Sequence, residues 1–168
     1  RGVRKAQTTG VDAFRSYPGG AVGMVDSGGA RYFAGATLSA LRGTLALPAS
    51  GPLPSVPILY SHADMDIPAT ARMLEGAAGV VLAGVGNGNA QAALLDLLAK
   101  AAARGVPVVR STRVGEGFVD RNVEVDDDHL GLVAARDLNP QKSRILLQLL
   151  LVGGRTDPKA IQQALVAV

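Results

Sequence analysis

Over residues 56–168, short apolar runs alternate with longer segments in which apolar residues recur at spacings of three and four. The run at 80–83 contains no polar residue, which suits a strand buried on both faces of a parallel sheet. Leucine and alanine residues within 94–101 would share one face of a helix that Gly105 terminates. The whole pattern predicts strands at 56–61, 80–83, 106–110 and 129–134, and helices at 68–76, 90–104, from Pro140 onwards and at 158–167.

Strands that alternate with helices imply βαβ units and a parallel sheet. We therefore predict an α/β fold, with a small flavodoxin-like, three-layer domain built on a parallel sheet at 56–168. Upstream, β-prone segments flank Ser-Gly-Gly at 27–29 and predict a β-hairpin, whereas residues 1–14 predict a polar loop that leads into a short strand. Residues 35–55 are rich in Gly, Pro, Ala and Ser without a sustained period, and predict a linker.

Two pairs of residues mark the starts of the last two predicted helices. In Asn139-Pro140 and Asp157-Pro158, a side chain that accepts hydrogen bonds from free helical N–H groups precedes a proline whose missing N–H is not needed. The buried stripe predicted for the first of these helices consists of Ile145, Leu146, Leu149 and Leu150.

Composition excludes several classes of function. The chain of 168 residues has no cysteine, which excludes disulfides and thiolate chemistry and is compatible with either export or the cytosol. No apolar run reaches the roughly 18 residues that a membrane span needs. The net charge of +3 is scattered, and aromatic residues are few, so nucleic-acid binding is not predicted. Because the sequence begins without methionine in a polar segment, we expect that Arg1 is not the natural start of a protein.

A glycine-rich stretch, Gly-Val-Gly-Asn-Gly-Asn at 84–89, follows the most apolar predicted strand. Open α/β sheets bind ligands at the carboxyl ends of their strands. The glycines allow close backbone approach, and Asn87 and Asn89 supply amide donors and acceptors. The stretch lacks the third glycine of a dinucleotide fingerprint and follows the second strand of the unit, so no nucleotide cofactor is predicted. A structural turn whose Asn89 caps the next helix is the alternative.

Two further side chains are candidates for chemistry. Glu124 alternates with Val123 and Val125 after the third strand, and a carboxylate at the same edge as Asn89 would suit a substrate ammonium group. A surface glutamate is the alternative. Lys5 would serve in a proton relay if it were buried, and otherwise is one residue of a basic loop.

No metal site is predicted. His62, Asp64 and Asp66 offer three ligands in one loop, an incomplete shell for which helix capping and solvated acids are the simpler interpretation. The acidic run at 126–128 with His129 is interpreted as a solvated charge run. A phosphoacceptor receiver is excluded, since it needs an aspartate at the end of the third strand, where this chain has Arg110 and Ser111.

Four motifs in order resemble the C-terminal domain of bacterial type II L-asparaginases, a family of homotetrameric amidohydrolases. They are Gly-Val-Gly-Asn-Gly-Asn at 84–89, Val-Arg-Ser-Thr-Arg-Val at 109–114, Glu-Val-Asp-Asp at 124–127 and Leu-Asn-Pro-Gln-Lys-Ser-Arg-Ile-Leu-Leu-Gln at 138–148. Upstream, residues 3–14 resemble the segment that holds the family's catalytic lysine, and residues 23–32 resemble the hairpin that closes the N-terminal domain.

The resemblance implies a division of the chain and a role for three residues. Residues 1–34 would be the tail of the N-terminal catalytic domain, 35–55 the linker and 56–168 the C-terminal domain. Lys5 would help to activate a threonine nucleophile or water. Asn89 and Glu124 would complete the substrate site of a neighbouring subunit, with Glu124 facing the α-ammonium of L-asparagine or L-aspartate. L-Glutamine is an alternative substrate; no cofactor is implied, and export to the periplasm or secretion is expected.

The sequence departs from the family pattern in several places. The family's Thr-Gly-Gly-Thr motif, with the nucleophile, and its His-Gly-Thr-Asp-Thr motif are absent from these residues, so the chain alone is expected to be inactive. The Thr-x-Asn that usually surrounds the lysine is here Arg4 to Gln7, and Gly10 replaces an acid. The rival hypothesis is a non-enzymatic α/β domain that binds an amino acid or serves only in assembly.

Overall fold

A computed structural model of the protein describes residues 3–17, 20–33, 45 and 47–167. The chain divides into two compact units, Arg1–Gly43 and Thr44–Val168. Most of the predicted linker, 35–44 and 46, lies outside the described residues. The boundaries predicted at 34 and 55 therefore stay predictions.

Over residues 3–17 and 20–33, the first unit contains two antiparallel strand pairs. Strand β1 (Val3–Lys5) pairs with β2 (Phe14–Ser16), and β3 (Gly23–Asp26) pairs with β4 (Gly29–Tyr32). The hairpin predicted around Ser-Gly-Gly is confirmed, and its turn is closed by the Gly28 N–H, which donates to Asp26 Oδ1 at 2.8 Å. The prediction of a loop over residues 3–5 is wrong, because their backbone pairs with the strand that follows.

In its described residues, 45 and 47–167, the second unit contains a four-stranded parallel sheet and five helices. Its strands are β5 (Ile58–Tyr60), β6 (Val80–Gly84), β7 (Val108–Thr112) and β8 (Val133–Ala134), paired in that order. The helices are α1 (Ile67–Met73), α2 (Ala92–Ala103), α3 (Asp127–Leu130), α4 (Pro140–Val152) and α5 (Pro158–Ala167). None of the helices in the described part of the chain is both long and apolar enough to cross a membrane.

Alternation along the central strands builds two cores, one on each face of the sheet. Val81 of β6 packs in a cluster with leucines of α4 and α5, whereas Val80 and Leu82 pack with leucines of α2. Side chains of successive strand residues point to opposite faces, so a run of apolar residues is buried on both. The predicted α/β fold with three layers is confirmed.

The buried face of helix α4 differs from the predicted apolar stripe, because it includes polar residues. Asn139 caps the helix as predicted, accepting from the Lys142 N–H at 3.0 Å. Ile145, however, is 46% exposed, and the buried face includes Ser143 and Gln148. Ser143 Oγ donates a hydrogen bond to Leu138 O, and Gln148 Nε2 donates one to Pro54 O. Leu146 and Leu150 are buried as predicted, whereas Ile145 is not, because the buried face of α4 also includes polar residues.

Two strand boundaries also differ. Strand β7 continues through Ser111 and Thr112, beyond the end of the strand predicted at 106–110. Residues 129–130, predicted as strand, belong to α3, and β8 contains only Val133 and Ala134. Strand β7 has a polar partner in its added part, since Ser111 Oγ donates to Leu138 O at 2.8 Å.

The side chain of Gln162 on α5 binds the backbone of the short edge strand β8. Its Oε1 accepts from the Ala134 N–H at 2.9 Å, and its Nε2 donates to Ala134 O at 3.0 Å. A primary amide placed in this way satisfies both backbone groups of Ala134.

Replacing Gln162 with leucine should lower the free energy of unfolding by about 1–3 kcal/mol, because buried backbone groups at Ala134 would lose their partners. Urea denaturation of the two proteins measures the difference. The matched control is Gln163→Leu, at the next, exposed position of the same helix, which should change stability by less than about 0.5 kcal/mol. Equal effects at 162 and 163 would contradict a role for the side-chain amide.

Candidate functional site

The glycine-rich stretch forms a tight loop at the carboxyl end of β6. Val85 and Asn89 exchange two backbone hydrogen bonds, each 2.8 Å long, so the chain turns back on itself between them. A Cβ at Gly84 would lie 2.4 Å from the carbonyl carbon of Gly88, which leaves no room for any side chain. The loop therefore presents Asn89 at the sheet edge where α/β proteins bind ligands.

Asn89 is half-buried, and its side chain makes a hydrogen bond within the loop and does not cap helix α2. Its Oδ1 accepts from the Ala90 N–H at 2.8 Å. Helix α2 begins at Ala92, three residues after Asn89, with Gln91 at the N-cap and no side-chain hydrogen bond there. The alternative in which Asn89 caps the helix is therefore wrong.

The residue that organises this edge is Arg110 of β7. Its Nε and Nη2 each donate to a carboxylate oxygen of Asp127 at 2.7 Å, and both side chains are 0% exposed. Arg110 Nη2 also donates to Asp120 O at 2.8 Å, and Nη1 donates to Asn87 O. The interpretation of the acidic run as solvated is thus wrong for Asp127, which is held inside by a two-point ion pair.

Glu124 lies in a closed loop next to this ion pair. The Asn122 N–H donates to Asp127 Oδ2 at 3.0 Å, and the side chain of Asn122 makes two hydrogen bonds with Asp128. Val125 is 5% exposed and anchors the loop in the core. Val123 is 67% exposed, so the segment is a bend and not the alternating strand-like segment suggested by its valines. The Glu124 side chain is exposed on this fixed loop.

Asp128 contributes to closing the same loop through its charge. The hydrogen bond from Arg121, followed by that from Asn122, holds the pKa of the Asp128 carboxyl below its usual 3.8. A carboxyl whose pKa is lower in the folded state stabilises the fold above its unfolded pKa, and this stabilisation is lost as the pH falls through the folded value. The contribution of Asp128 to the stability of this loop is therefore fully present at neutral pH.

Glycine is required at position 88 for two reasons. Its φ is +75°, and a Cβ would lie 3.0 Å from Arg110 Nη1 and from Val119 Cγ1. Gly86 has a φ of +49°, but a Cβ there would meet no atom of the described residues within 4 Å. Position 88 therefore combines backbone strain with contact against Arg110, and position 86 has backbone strain alone.

Gly88→Ala should destabilise the protein by at least about 1 kcal/mol more than Gly86→Ala, because only the former places a methyl group against packed atoms. The two variants share the left-handed backbone penalty of about 1–2 kcal/mol, so their difference isolates the contact. Thermal or urea unfolding of both provides the measurement. Equal destabilisation would show that the loop moves away from Arg110 without loss.

The loop after β5 has a local structural role. Asp66 caps α1 by accepting from the Ala69 N–H at 2.8 Å, as the capping interpretation predicted. His62 Nδ1 lies 2.7 Å from Ala63 O, within its own turn. In residues 3–17, 20–33, 45 and 47–167, no group of three or more His, Cys, Asp or Glu side chains is placed to hold a metal ion.

Lys5 belongs to the other unit, Arg1–Gly43. It ends strand β1 opposite Phe14, and its Nζ lies 5.8 Å from the centre of that ring. The side chain is exposed in the described structure, so the burial considered from the sequence is not found. Its role in catalysis stays a prediction.

Sequence reasoning missed the Arg110–Asp127 pair, although a signal was present. Arg110 sits directly after two valines of a strand that is otherwise buried. A charge in such a place needs a buried counter-charge, because an unpaired buried ion is very unfavourable. The acidic run at 126–128 was the available partner.

Comparison with known proteins defines the family. The model of the glutaminase/asparaginase C-terminal domain matches residues 55–165. The chain belongs to this family. The glutaminase/asparaginase C-terminal domain thus includes the whole four-stranded sheet together with Arg110 and Asp127. Asn89 and Glu124 lie within it, whereas Lys5 precedes the matched residues. The resemblance found in the sequence is confirmed.

Several curated relatives match nearly the whole chain. It is 42% identical to a probable periplasmic L-asparaginase of Haemophilus influenzae and 42% identical to L-asparaginase 2 of Escherichia coli, over 97% of this chain and 47% of each relative. A glutaminase-asparaginase of Pseudomonas fluorescens is 35% identical over 97% of this chain and 45% of its own length. The chain thus spans about half the length of the curated relatives it matches.

Proposed function

We propose that this chain is part of an amidohydrolase that converts L-asparagine and water to L-aspartate and ammonia, with L-glutamine as an alternative substrate. The main support is that Asn89 and Glu124 lie on two fixed loops, bound to each other through Arg110 and Asp127, in a glutaminase/asparaginase C-terminal domain. An amide and a carboxylate at one edge suit the polar groups of a free amino acid. The names of the relatives agree with this substrate class.

The proposed reaction has two steps. A threonine hydroxyl, which lies outside this chain, attacks the side-chain amide carbon of the substrate, and ammonia leaves as the acyl-enzyme forms. Water then attacks the ester and releases L-aspartate. Lys5 would take part in moving the proton from the nucleophile, Glu124 would bind the α-ammonium, and Asn89 would orient the substrate. Donors that face the developing oxyanion are also required.

The proposed assembly is a homotetramer arranged as a dimer of dimers, in which the C-terminal domain of one subunit completes the substrate site of another. We place the protein in the periplasm or outside the cell, a location supported by the printed name of the Haemophilus influenzae relative. Sedimentation analysis of the full-length protein tests the tetramer, and fractionation of the cells that produce it tests the location.

Changing Glu124 to alanine in the full-length protein should raise KM for L-asparagine by about 10- to 150-fold. That range corresponds to the loss of a charge-assisted hydrogen bond worth about 1.5–3 kcal/mol. Because this contact is equally present in the ground state and the transition state, kcat should change little. Ammonia release at varied substrate concentration measures both constants. The matched control is Glu116→Ala, at another exposed glutamate of the same β7–α3 connection.

Each possible outcome of that experiment has a defined meaning. An unchanged KM for Glu124→Ala would overturn its assignment to the α-ammonium. Saturable amino-acid binding without ammonia release by the unaltered protein would support a binding module instead. Oligomers that bind no amino acid would support a role in assembly alone.

A further inference from the structure

We infer that the buried Arg110–Asp127 ion pair is a positioning device that fixes the loop of Asn89 relative to the loop of Glu124. The role in catalysis rests on the proposed function, in which both loops face the substrate. Neither Arg110 nor Asp127 would touch the substrate itself, since both are 0% exposed. They act through the backbone of the two loops, which lie on either side of them.

Arg110 contacts the backbone of the Asn89 loop directly. Its Nη1 donates to Asn87 O, two residues before Asn89, and Gly88 lies so close that a Cβ there would be 3.0 Å from the same Nη1. The two backbone hydrogen bonds between Val85 and Asn89 close the same loop. The position of the Asn89 side chain therefore follows the position of the guanidinium.

Asp127 fixes both ends of the segment 122–127, which carries Glu124. Its Oδ2 accepts from the Asn122 N–H at 3.0 Å, and Asp127 itself begins helix α3 three residues after Glu124. Two more hydrogen bonds join the loops near the pair, from Arg110 to Asp120 O at 2.8 Å and from the Asp120 N–H to Asn87 Oδ1 at 2.7 Å. One network thus contains both loops.

The physical chemistry of a buried ion pair indicates that Arg110 and Asp127 fix the geometry of the loops and contribute little to the stability of the fold. A buried ion pair contributes little net stability compared with apolar residues of similar volume, because desolvation of the charges offsets their attraction. A guanidinium that binds a carboxylate at two points, however, fixes both distance and orientation. With two carbonyls bound as well, Arg110 sets four acceptors in fixed directions. Apolar residues of the same volume would lack that directionality.

Amide hydrogen exchange on the full chain tests the coupling without reference to activity. In Arg110→Lys and Asp127→Asn, amides of both loops, 86–89 and 120–126, should exchange faster by about tenfold or more, while β6 and β7 stay protected. The matched control is Arg72→Lys, at an exposed arginine of α1 outside both loops. Unchanged loops, change in one loop only, or an equal increase throughout the sheet would overturn the inference.

Kinetics of the full-length protein provide the second test. Arg110→Lys should raise KM and lower kcat together, and in its background Glu124→Ala should raise KM by less than about threefold, since the contact is already misplaced. Full additivity of the two changes would overturn the positioning role. If the unaltered protein released no ammonia, the proposed function would fail, and the exchange experiment would still decide whether the pair couples the loops.

Discussion

Replacing Asp127 alone with leucine should lower the free energy of unfolding by about 3–5 kcal/mol. The change leaves the Arg110 guanidinium fully buried with only two backbone carbonyls as partners, and an unpaired buried charge is among the most destabilising defects known in proteins. It also removes the acceptor of the Asn122 N–H. Urea denaturation monitored by circular dichroism measures the loss.

A second substitution separates the charge from the packing. Arg110→Met combined with Asp127→Leu removes both charges and should recover most of the stability lost in Asp127→Leu. Asp128→Leu is the surface control, because its pair with Arg121 is exposed and screened by solvent and should contribute far less than the buried pair. If the double substitution were as unstable as the single one, packing and not the unpaired charge would explain the loss. Should Asp127→Leu fail to fold, recovery by the double substitution still decides the question.

The sheet could be predicted because its central strands are buried on both faces. Residues 80–83 have only apolar side chains, all of them fully buried, and Val80, Val81 and Leu82 belong to the core clusters on the two faces of β6. The helix starts at Asn139 and Asp157 were predictable for a local reason, since a cap depends on residues only three positions apart. Such features need no knowledge of distant contacts.

The ion pair could not be assigned from local pattern, because its partners are 17 residues apart and meet only in the folded chain. Three adjacent aspartates look equivalent in sequence, yet Asp126 caps α3, Asp127 is buried and Asp128 binds Arg121. Their different environments follow from where α3 begins relative to β7. If α3 began one residue earlier or later, different aspartates would occupy these three environments.

The candidate site was predicted in part by physical reasoning and in part by resemblance. The apolar run before it placed the Asn89 loop at the end of a strand. The rule that ligands lie at the carboxyl ends of parallel strands then made the loop a candidate ligand site. The residues alone suggested an ammonium-binding carboxylate at Glu124 and a candidate proton relay at Lys5. Only the resemblance favoured these roles over a surface glutamate and a basic loop residue. The structure adds a reason for the spacing of the first two, because Arg110 and Asp127 connect their loops.

Changing Lys5 to methionine in the full-length protein should lower kcat by about 10²–10⁴-fold, the usual contribution of a general base or its relay. The side chain is exposed on a strand and contacts the Phe14 ring, so methionine keeps the length and the apolar contact while removing the amine. Stability should therefore change by less than about 0.5 kcal/mol, as for an ordinary surface position. Steady-state ammonia release and urea denaturation measure the two quantities.

Lys5→Arg decides what the amine contributes. Arginine keeps the positive charge but does not give up a proton in proteins, so a true proton relay should be as impaired in Lys5→Arg as in Lys5→Met. If Lys5→Arg kept most of the activity, the charge alone would matter, as an electrostatic partner of the reacting groups. The matched control is Lys100→Met on α2, at an exposed position that the proposed mechanism does not use. A kcat unchanged in Lys5→Met would remove Lys5 from the mechanism, and the departures at Arg4 and Gly10 would then mark a segment that has lost the family's role.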